Sequence, residues 1–289
     1  MSGALLRIAT RSSEQARTQA EVVASGLAAA NPGLLAELVF VDTLGDQRQD
    51  VALHTIGGQG VFVKEVQRAV LDGRADVAVH SAKDLPSEGA DGLTIGAFTA
   101  RRDPRDALVG STLDELRFGA TVASGSVRRR AQLRVLRPDL HFVELRGNIH
   151  TRLTKVPAGG AIVMAVAALQ VLGLERRIAE VIAVDAMVPA VGQGCVAVEC
   201  RIGDDATAAA LAAIDHAPSR RAVTTERAFL AQLGSGCSLP IGAHVADGQL
   251  SAFIANDSGR TLQATVRLGH DWHATAVELA RSLHAEILR

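Results

Sequence analysis

Two spacings of apolar residues alternate along the chain. Short blocks rich in Val, Ile, Leu and Ala read as strands, and the blocks after them carry apolar residues at helical spacing. "LLRIAT" is a strand and "RSS" its loop. "SEQARTQAEVVASGLAAA" is a helix, with Ser12 and Gln15 at capping-box spacing. "LAELVFVD" is the next strand. After the loop "GGQG", "VFVKEVQRAVLD" is a helix that Gly73 can terminate. "ADVAVHS" is a strand that runs into the loop "AKDLP".

"TARRDPRDAL" then breaks the pattern with charges and a proline, and we place a domain crossing there. A second unit repeats the alternation: strand "ATVAS", loop "GS", helix "VRRRAQLRVL"; strand "HFVEL", loop "RGN", helix "IHTRLTKV"; strand "AIVMAV". "MVPAVGQGCVAVECR" is a glycine-broken apolar segment able to return the chain to the first unit. "DDATAAALAAIDHAPSRRAVTTERAFLAQL" reads as helical, and "GSGCSLPIGAHV" turns into strands. The tail is an amphipathic helix, apolar at Ala276, Leu279, Leu283 and Ile287. Strands alternating with helices predict an α/β fold with largely parallel sheets. No internal repeat or long linker is visible.

Composition narrows the function classes. The 289 residues carry a formal net charge of −1, and aromatics are only 3% with no Tyr. A nucleic-acid-binding chain usually has a basic excess, and single-stranded sites stack bases on aromatic rings. The apolar run near the N-terminus is too short for a signal peptide, and "AIVMAVAALQVLGL" is shorter than a membrane span. The expectation is a cytoplasmic chain without membrane or nucleic-acid partner. Three cysteines without CxxC spacing argue against a disulfide framework or zinc site.

Against that neutral background, "SVRRRAQLRVLR" concentrates five arginines. Ser126 is placed to cap the helix, which puts Arg128 and Arg129 in its first turn. Cations there are disfavoured by ~0.3–1 kcal/mol each, so the placement makes sense if an anion shares the site. The alternative is a pair of solvated arginines. Arg130, Arg134 and Arg137 follow i, i+4, i+7 spacing and are expected to form a solvated face. Ligands of open α/β sheets bind beyond the C-terminal strand ends. Those ends carry Arg11, Ser12 and Ser13; His80, Ser81, Lys83 and Asp84; Ser124 and Ser126; and Arg146. Asp84 in a basic pocket could hold an amine cation, move a proton or stabilise positive charge; otherwise it forms a surface ion pair with Lys83. Cys237, between small residues in "LGSGCSLPIG", is either a nucleophile able to hold a covalent adduct or an inert loop thiol. Cys195 and Cys200 read as buried.

Several blocks in order resemble the porphobilinogen deaminase (hydroxymethylbilane synthase) family of tetrapyrrole and heme biosynthesis. They include "RIATRSS", "GGQGVFVKEVQRAVLDGRADVAVHSAKDLPSE", "RRDPRDAL", "SVRRRAQLRVLRPDL", "LRGNIHTRL", "VPAVGQG" and "TERAFLAQLGSGCSLPIGAHV". The resemblance runs nearly end to end. It implies three domains: an α/β lobe over 1–99 and 196–214, a second over 100–195, and a smaller α+β domain over 215–289. The lobes are binding-protein-like and joined by two crossings. It implies a dipyrromethane cofactor held by a thioether at Cys237, and stepwise condensation of four porphobilinogen molecules with loss of ammonia. Hydrolysis then releases the linear tetrapyrrole. It makes Asp84 the catalytic carboxylate, with Lys83 beside it. Cofactor contacts fall on Ser81, Lys83, Asp84, Ser124, Ser126, Arg128, Arg129, Arg146 and Gly147. Substrate contacts fall on Arg11, Ser13, Arg146, Arg152, Arg177 and Gln193. A monomer without metal is expected.

The chain departs from the family pattern at Gln59, usually lysine. It departs also at Ala123-Ser124-Gly125-Ser126, usually Gly-Thr-Ser-Ser, and at Ser235 before the cysteine, usually glycine. The alternatives are a non-catalytic bilobal anion-binding protein, which leaves Asp84 and Cys237 without a task, and an inactive paralogue, which the departures raise.

Overall fold

The structure is a computed structural model that describes residues 5–43, 63–234 and 240–289. Cys237, Gln59 and Ser235 lie outside the described residues. The expected alternation is present. β1 (Leu5–Arg11) leads into α1 (Glu14–Ala30), then β2 (Leu35–Val41), α2 (Lys64–Leu71), β3 (Val77–Ser81) and β4 (Leu93–Phe98). The chain then forms β5 (Asp106–Val109), β6 (Thr121–Ala123), α3 (Val127–Leu136), β7 (His141–Val143), α4 (Ile149–Leu153), β8 (Ala161–Ala165), α5 (Val166–Val171) and β9 (Glu180–Val181). β10 (Val196–Arg201) precedes α6 (Asp205–Ala212) and α7 (Ala217–Gln232). β11 (Ile241–Ala246), β12 (Gln249–Ala255), β13 (Thr261–Arg267) and α8 (Trp272–Ile287) complete the chain.

Two five-stranded sheets have the orders β2-β1-β3-β10-β4 and β7-β6-β8-β5-β9. β1 pairs in parallel with β2 and β3, and β6 with β7 and β8. In each sheet the fourth strand runs against both neighbours: β10 against β3 and β4, β5 against β8 and β9. The sheets are therefore largely parallel, with one reversed strand each. That strand is the one on which the chain arrives from the other sheet.

Apolar packing explains why these elements stay together. Ile8, Val77 and Val198 of the first sheet bury against Leu27 of α1 and Leu211 of α6, while Ala9 and Ala78 meet Val66 and Val70 of α2 on the other face. In the second sheet Leu108, Val122 and Val163 bury with Leu133 of α3, and Ile162 with Leu169 of α5. A third unit packs the antiparallel sheet β11-β12-β13 on α7 and α8 through Phe229, Leu250, Ile254, Ala276, Leu283 and Ile287. The tail stripe Ala276, Leu279, Leu283 and Ile287 is buried as its spacing predicts.

Three local expectations are corrected. The segment read as continuously helical breaks into α6 and α7. The His216 side chain caps α7 by accepting from Ser219 N, Pro218 fits its first turn, and Asp215 turns aside to accept from Phe98 N at 2.8 Å. The Ser12–Gln15 capping box does not form: α1 is preceded by Ser13 without a side-chain cap, and Ser12 Oγ donates to Asp42 Oδ1 at 3.2 Å. The solvated arginine face is reduced to Arg134, which lies over the Phe142 ring at 5.0 Å. Arg130 donates to Val143 O at 3.0 Å and to Glu144 Oε2 at 2.7 Å. Arg137 donates to both Asp139 oxygens at 2.8 Å and to the carbonyls of Leu113 and Leu116. Long arginine stems reach back to carbonyl groups that helical spacing does not reveal.

The two crossings lie side by side: Thr99 N donates to Val196 O at 3.0 Å and Arg102 N to Gly194 O at 2.9 Å. Glu226 of α7 ties both to the third unit. Its fully buried carboxylate accepts from Arg101 Nη1 at 2.5 Å, Arg101 Nη2 at 3.1 Å, and from Gly192 N and Val245 N at 2.8 Å each. Burial alone would raise the Glu226 carboxyl, but Arg101 and His244 together outweigh it and hold the group down to about 2. Among the described residues no helix is long and apolar enough to cross a membrane.

Candidate active site

The reversed strands decide what reaches the cleft. Because β10 is antiparallel to β3, Val196 pairs with Ser81, and the residues before β10 arrive beside the turn that carries Lys83 and Asp84. Because β5 is antiparallel to β8, Asp106 pairs with Ala165, so the start of β5 shares an edge with the C-terminal ends of its neighbours. Asp106 is fully buried there.

Ser126 caps α3 as expected, accepting from Arg129 N, and Arg128 and Arg129 are buried in its first turn. The anion that shares this helix end belongs to the chain itself. Asp106 Oδ2 accepts from Arg128 Nη2 at 2.7 Å, and Oδ1 from Arg129 Nε at 2.9 Å. Arg129 Nη2 lies 2.8 Å from the same Oδ1. Arg128 Nη1 also donates to Val188 O at 2.6 Å and Arg129 Nη1 to Val163 O at 3.1 Å. Gln193 Nε2 donates to Asp106 Oδ1 at 2.9 Å and to Pro104 O at 2.7 Å. Its Oε1 accepts from Lys83 Nζ at 3.3 Å. Against the penalty of burial, the two guanidiniums hold Asp106 down to about 2.

For Lys83 and Arg152, burial and like charges outweigh the carboxylates nearby. Burial, then repulsion from Arg129 and Arg128, pushes the Lys83 amine down to about 8, against the attraction of Asp84 and Asp106. Burial and the charges of Arg129, Arg146 and Arg11 push Arg152 down to about 10, with Asp84 opposing. Arg152 is held by its Nε donating to Gly147 O at 2.8 Å. Gly147 has φ of +114°, and a Cβ there would stand 2.8 Å from Thr151 Cγ2. A cavity of about 440 Å³ opens beside Ser81 and Lys83, between Gln19 and Val23 of α1 and Ala168 of α5. The cavity itself is lined by Lys83, Arg101 and Arg102, and the other cations gather beside Lys83 around Asp84; such an excess of positive charge about one carboxylate suits a polyanion that also carries a cationic centre.

The family model "porphobilinogen deaminase, dipyromethane cofactor binding domain" matches residues 6–209. The chain belongs to the porphobilinogen deaminase family. The model of the "porphobilinogen deaminase, C-terminal domain" matches residues 220–289. The porphobilinogen deaminase of Brevibacillus brevis is 41% identical over 97% of this chain and 94% of its own. Those of Roseiflexus castenholzii and Trichlorobacter lovleyi are 48% and 44% identical, covering 82% and 88% of this chain and 80% and 84% of theirs.

The residues expected of a porphobilinogen deaminase divide by their surroundings. Lys83, Asp84, Arg11, Arg128, Arg129, Arg146 and Arg152 act on one another electrostatically, as the causes of the Lys83 and Arg152 shifts show. Ser81 Oγ donates to Gln19 Oε1 at 3.1 Å, and the buried Ser124 Oγ accepts from Ser126 N at 3.2 Å. Ser13 sits half-buried at the entrance to α1. Arg177 stands apart, exposed on the turn Glu175–Arg177. The glycine at position 125, where the family usually has serine, lets Leu145 O approach to 2.9 Å from where a Cβ would be. Cys195 and Cys200 are buried as expected, and burial raises the Cys195 thiol to about 12.

Sequence reasoning missed Asp106. Strand-end inspection looks at C-terminal ends, and β5 presents its N-terminal end to the cleft. The available signal was an acidic residue opening an apolar strand directly after a charged crossing. Glu226 was missed too, because its partners lie up to 125 positions away.

Proposed function

We propose that this chain is a hydroxymethylbilane synthase, a transferase that joins four porphobilinogen molecules head to tail with loss of ammonia and releases the linear product by hydrolysis. The observation that carries the reading is the excess of cleft cations facing Asp84. Each pyrrole brings an acetate and a propionate, and the guanidiniums can bind these while Asp84 faces the aminomethyl end.

The described residues fit a dipyrromethane: burial first, and then repulsion from neighbouring cations, hold Lys83 and Arg152 below their ordinary values, and a polycarboxylate would offset the repulsion. Cys237 would hold it covalently, and Ser81, Ser124, Ser126, Lys83, Arg128, Arg129, Arg146 and Gly147 would line it. When bound, the dipyrromethane supplies the pyrrole carbon to which the first porphobilinogen is joined. Arg11, Ser13, Arg146 and Arg152 bind and orient the incoming substrate, buried Gln193 acts on it through the Lys83 amine that it holds, and exposed Arg177 contributes only at the margin. Asp84 steers the substrate's ammonium group and stabilises the positive charge that spreads over the pyrrole as ammonia leaves. That charge is larger in the transition state than before it, so a fixed carboxylate accelerates the step. Asp84 also stands ready to take the proton from the attacking carbon. In this reading the lobes over 1–99 with 196–214 and over 100–195 enclose the cleft, and the domain over 215–289 includes the attachment residue Cys237. The reading includes a cytoplasmic monomer with no nucleic-acid partner.

Intact-mass measurement joined to an ammonia-release assay tests this. The purified chain should be heavier than its sequence by two linked pyrroles and release ammonia from porphobilinogen. Cys237→Ser should lose the extra mass. Asp84→Asn should keep it and release ammonia at least ~100-fold more slowly, the low end of what a general acid–base group contributes. A wild-type rate in the Asn variant would move the catalytic assignment away from Asp84.

A further inference from the structure

We propose that Asp106 is a positioning residue, a buried clamp that holds Arg128 and Arg129 together and, through Gln193, fixes the Lys83 amine before any anionic ligand enters. The proposal deepens the reading of the cleft as a polycarboxylate site and rests on it.

Two adjacent guanidiniums in the first turn of a helix repel each other and the helix end. Burying them without a counter-charge would be strongly unfavourable. Asp106 supplies that counter-charge, and its two oxygens take four contacts, two from Arg129 and one each from Arg128 and Gln193. One negative charge against two positive ones is the useful ratio. No carboxylate would leave the arginines unable to stay buried. A second would neutralise the attraction for a ligand.

Gln193 extends the clamp to Lys83. Its amide nitrogen is committed to Asp106 and Pro104, so its oxygen must face the amine. Asp106 ends the first crossing and Gln193 lies in the second. The link therefore joins both crossings to the turn that carries Asp84. The charges acting on Lys83 come from three directions: Asp84 on its own turn, Arg128 and Arg129 on α3, and Asp106 on β5.

Competitive labelling of the full-length Cys237→Ser chain, taken as the parent because it carries no linked pyrroles, with acetic anhydride across pH 6–11, read on the Lys83 peptide by mass spectrometry, tests the proposal without substrate or cofactor. The parent should titrate near 8. Asp106→Asn removes an attraction and leaves both repulsions, so the Lys83 midpoint should fall by roughly a pH unit. An unchanged midpoint in a folded variant, or a rise toward the ordinary 10.5, overturns the clamp. Should Asp106→Asn not fold, Arg129→Gln decides. It removes the larger arginine repulsion while Asp106 still holds Arg128, so the midpoint should rise above 8, and no rise overturns the proposal. Loss of porphobilinogen turnover would leave these titrations readable, so the two readings fail separately.

Discussion

Replacing Glu226 by Gln keeps the shape of the side chain and removes the one charge that faces Arg101 at the junction of the crossings with the third unit. The pair is buried, with side-chain exposures of 11% for Arg101 and 0% for Glu226. Removing one partner of such a pair costs about 3–5 kcal/mol, because the other is left charged and dry. A second route gives a similar figure. The Glu226 carboxyl falls from 4.5 to about 2 in the folded chain, and each unit is worth about 1.4 kcal/mol, or about 3 kcal/mol in all. The sign follows from the lowered value. The stabilisation is fully present above pH 4.5 and is lost as pH falls toward 2. Urea unfolding followed by circular dichroism should show Glu226→Gln less stable by about 3–5 kcal/mol at pH 7. The gap to the parent should narrow by about half at pH 3. A gap below about 1 kcal/mol, or one that does not change with pH, would refute the reasoning.

Two further outcomes follow from the side chains around α3 and α4. Arg137→Leu should lower stability measurably in urea, since it strips hydrogen bonds from Asp139 and from the Leu113 and Leu116 carbonyls, whereas Arg134→Leu should change stability by less than about 0.5 kcal/mol; equal effects would restore the picture of one solvated face. Gly147→Ala should lower stability by more than about 1 kcal/mol and weaken porphobilinogen binding, because φ of +114° and the Thr151 side chain both oppose a Cβ there; an alanine chain with parent stability and KM would show that the loop relaxes without disturbing Arg152.

Much of this was legible in the chain, for identifiable reasons. Local rules worked where local chemistry decides: Ser126 caps α3, the Ala276–Ile287 stripe is buried, and Lys83 with Asp84 sits at a strand end beside the cleft. The electrostatic argument also worked in form, since an anion does share the helix end with Arg128 and Arg129. Its identity was hidden because Asp106 comes from a strand that runs the wrong way for the strand-end rule. Periodicity placed Arg130 and Arg137 on the outer face of α3 but could not show their guanidiniums folding back onto carbonyls and carboxylates. The Arg101–Glu226 contact and the Gln193 bridge join segments far apart in the chain, and no local pattern encodes such pairs.

The reversed strand in the first sheet has a consequence for how the molecule is made. β10 lies between β3 and β4 and, among the described residues, is the only strand that pairs with β4. A nascent chain that has delivered β4 must wait for residues 196–201 before that sheet can close. At about 5–20 residues per second the wait is on the order of 5–20 s. During it the inner edge of β3 is exposed, which is the kind of edge that pairs with other chains or recruits chaperones. The second sheet draws all its strands from Asp106–Val181, so every strand it needs leaves the ribosome earlier. The lobe synthesised first is thus the later of the two to be completed.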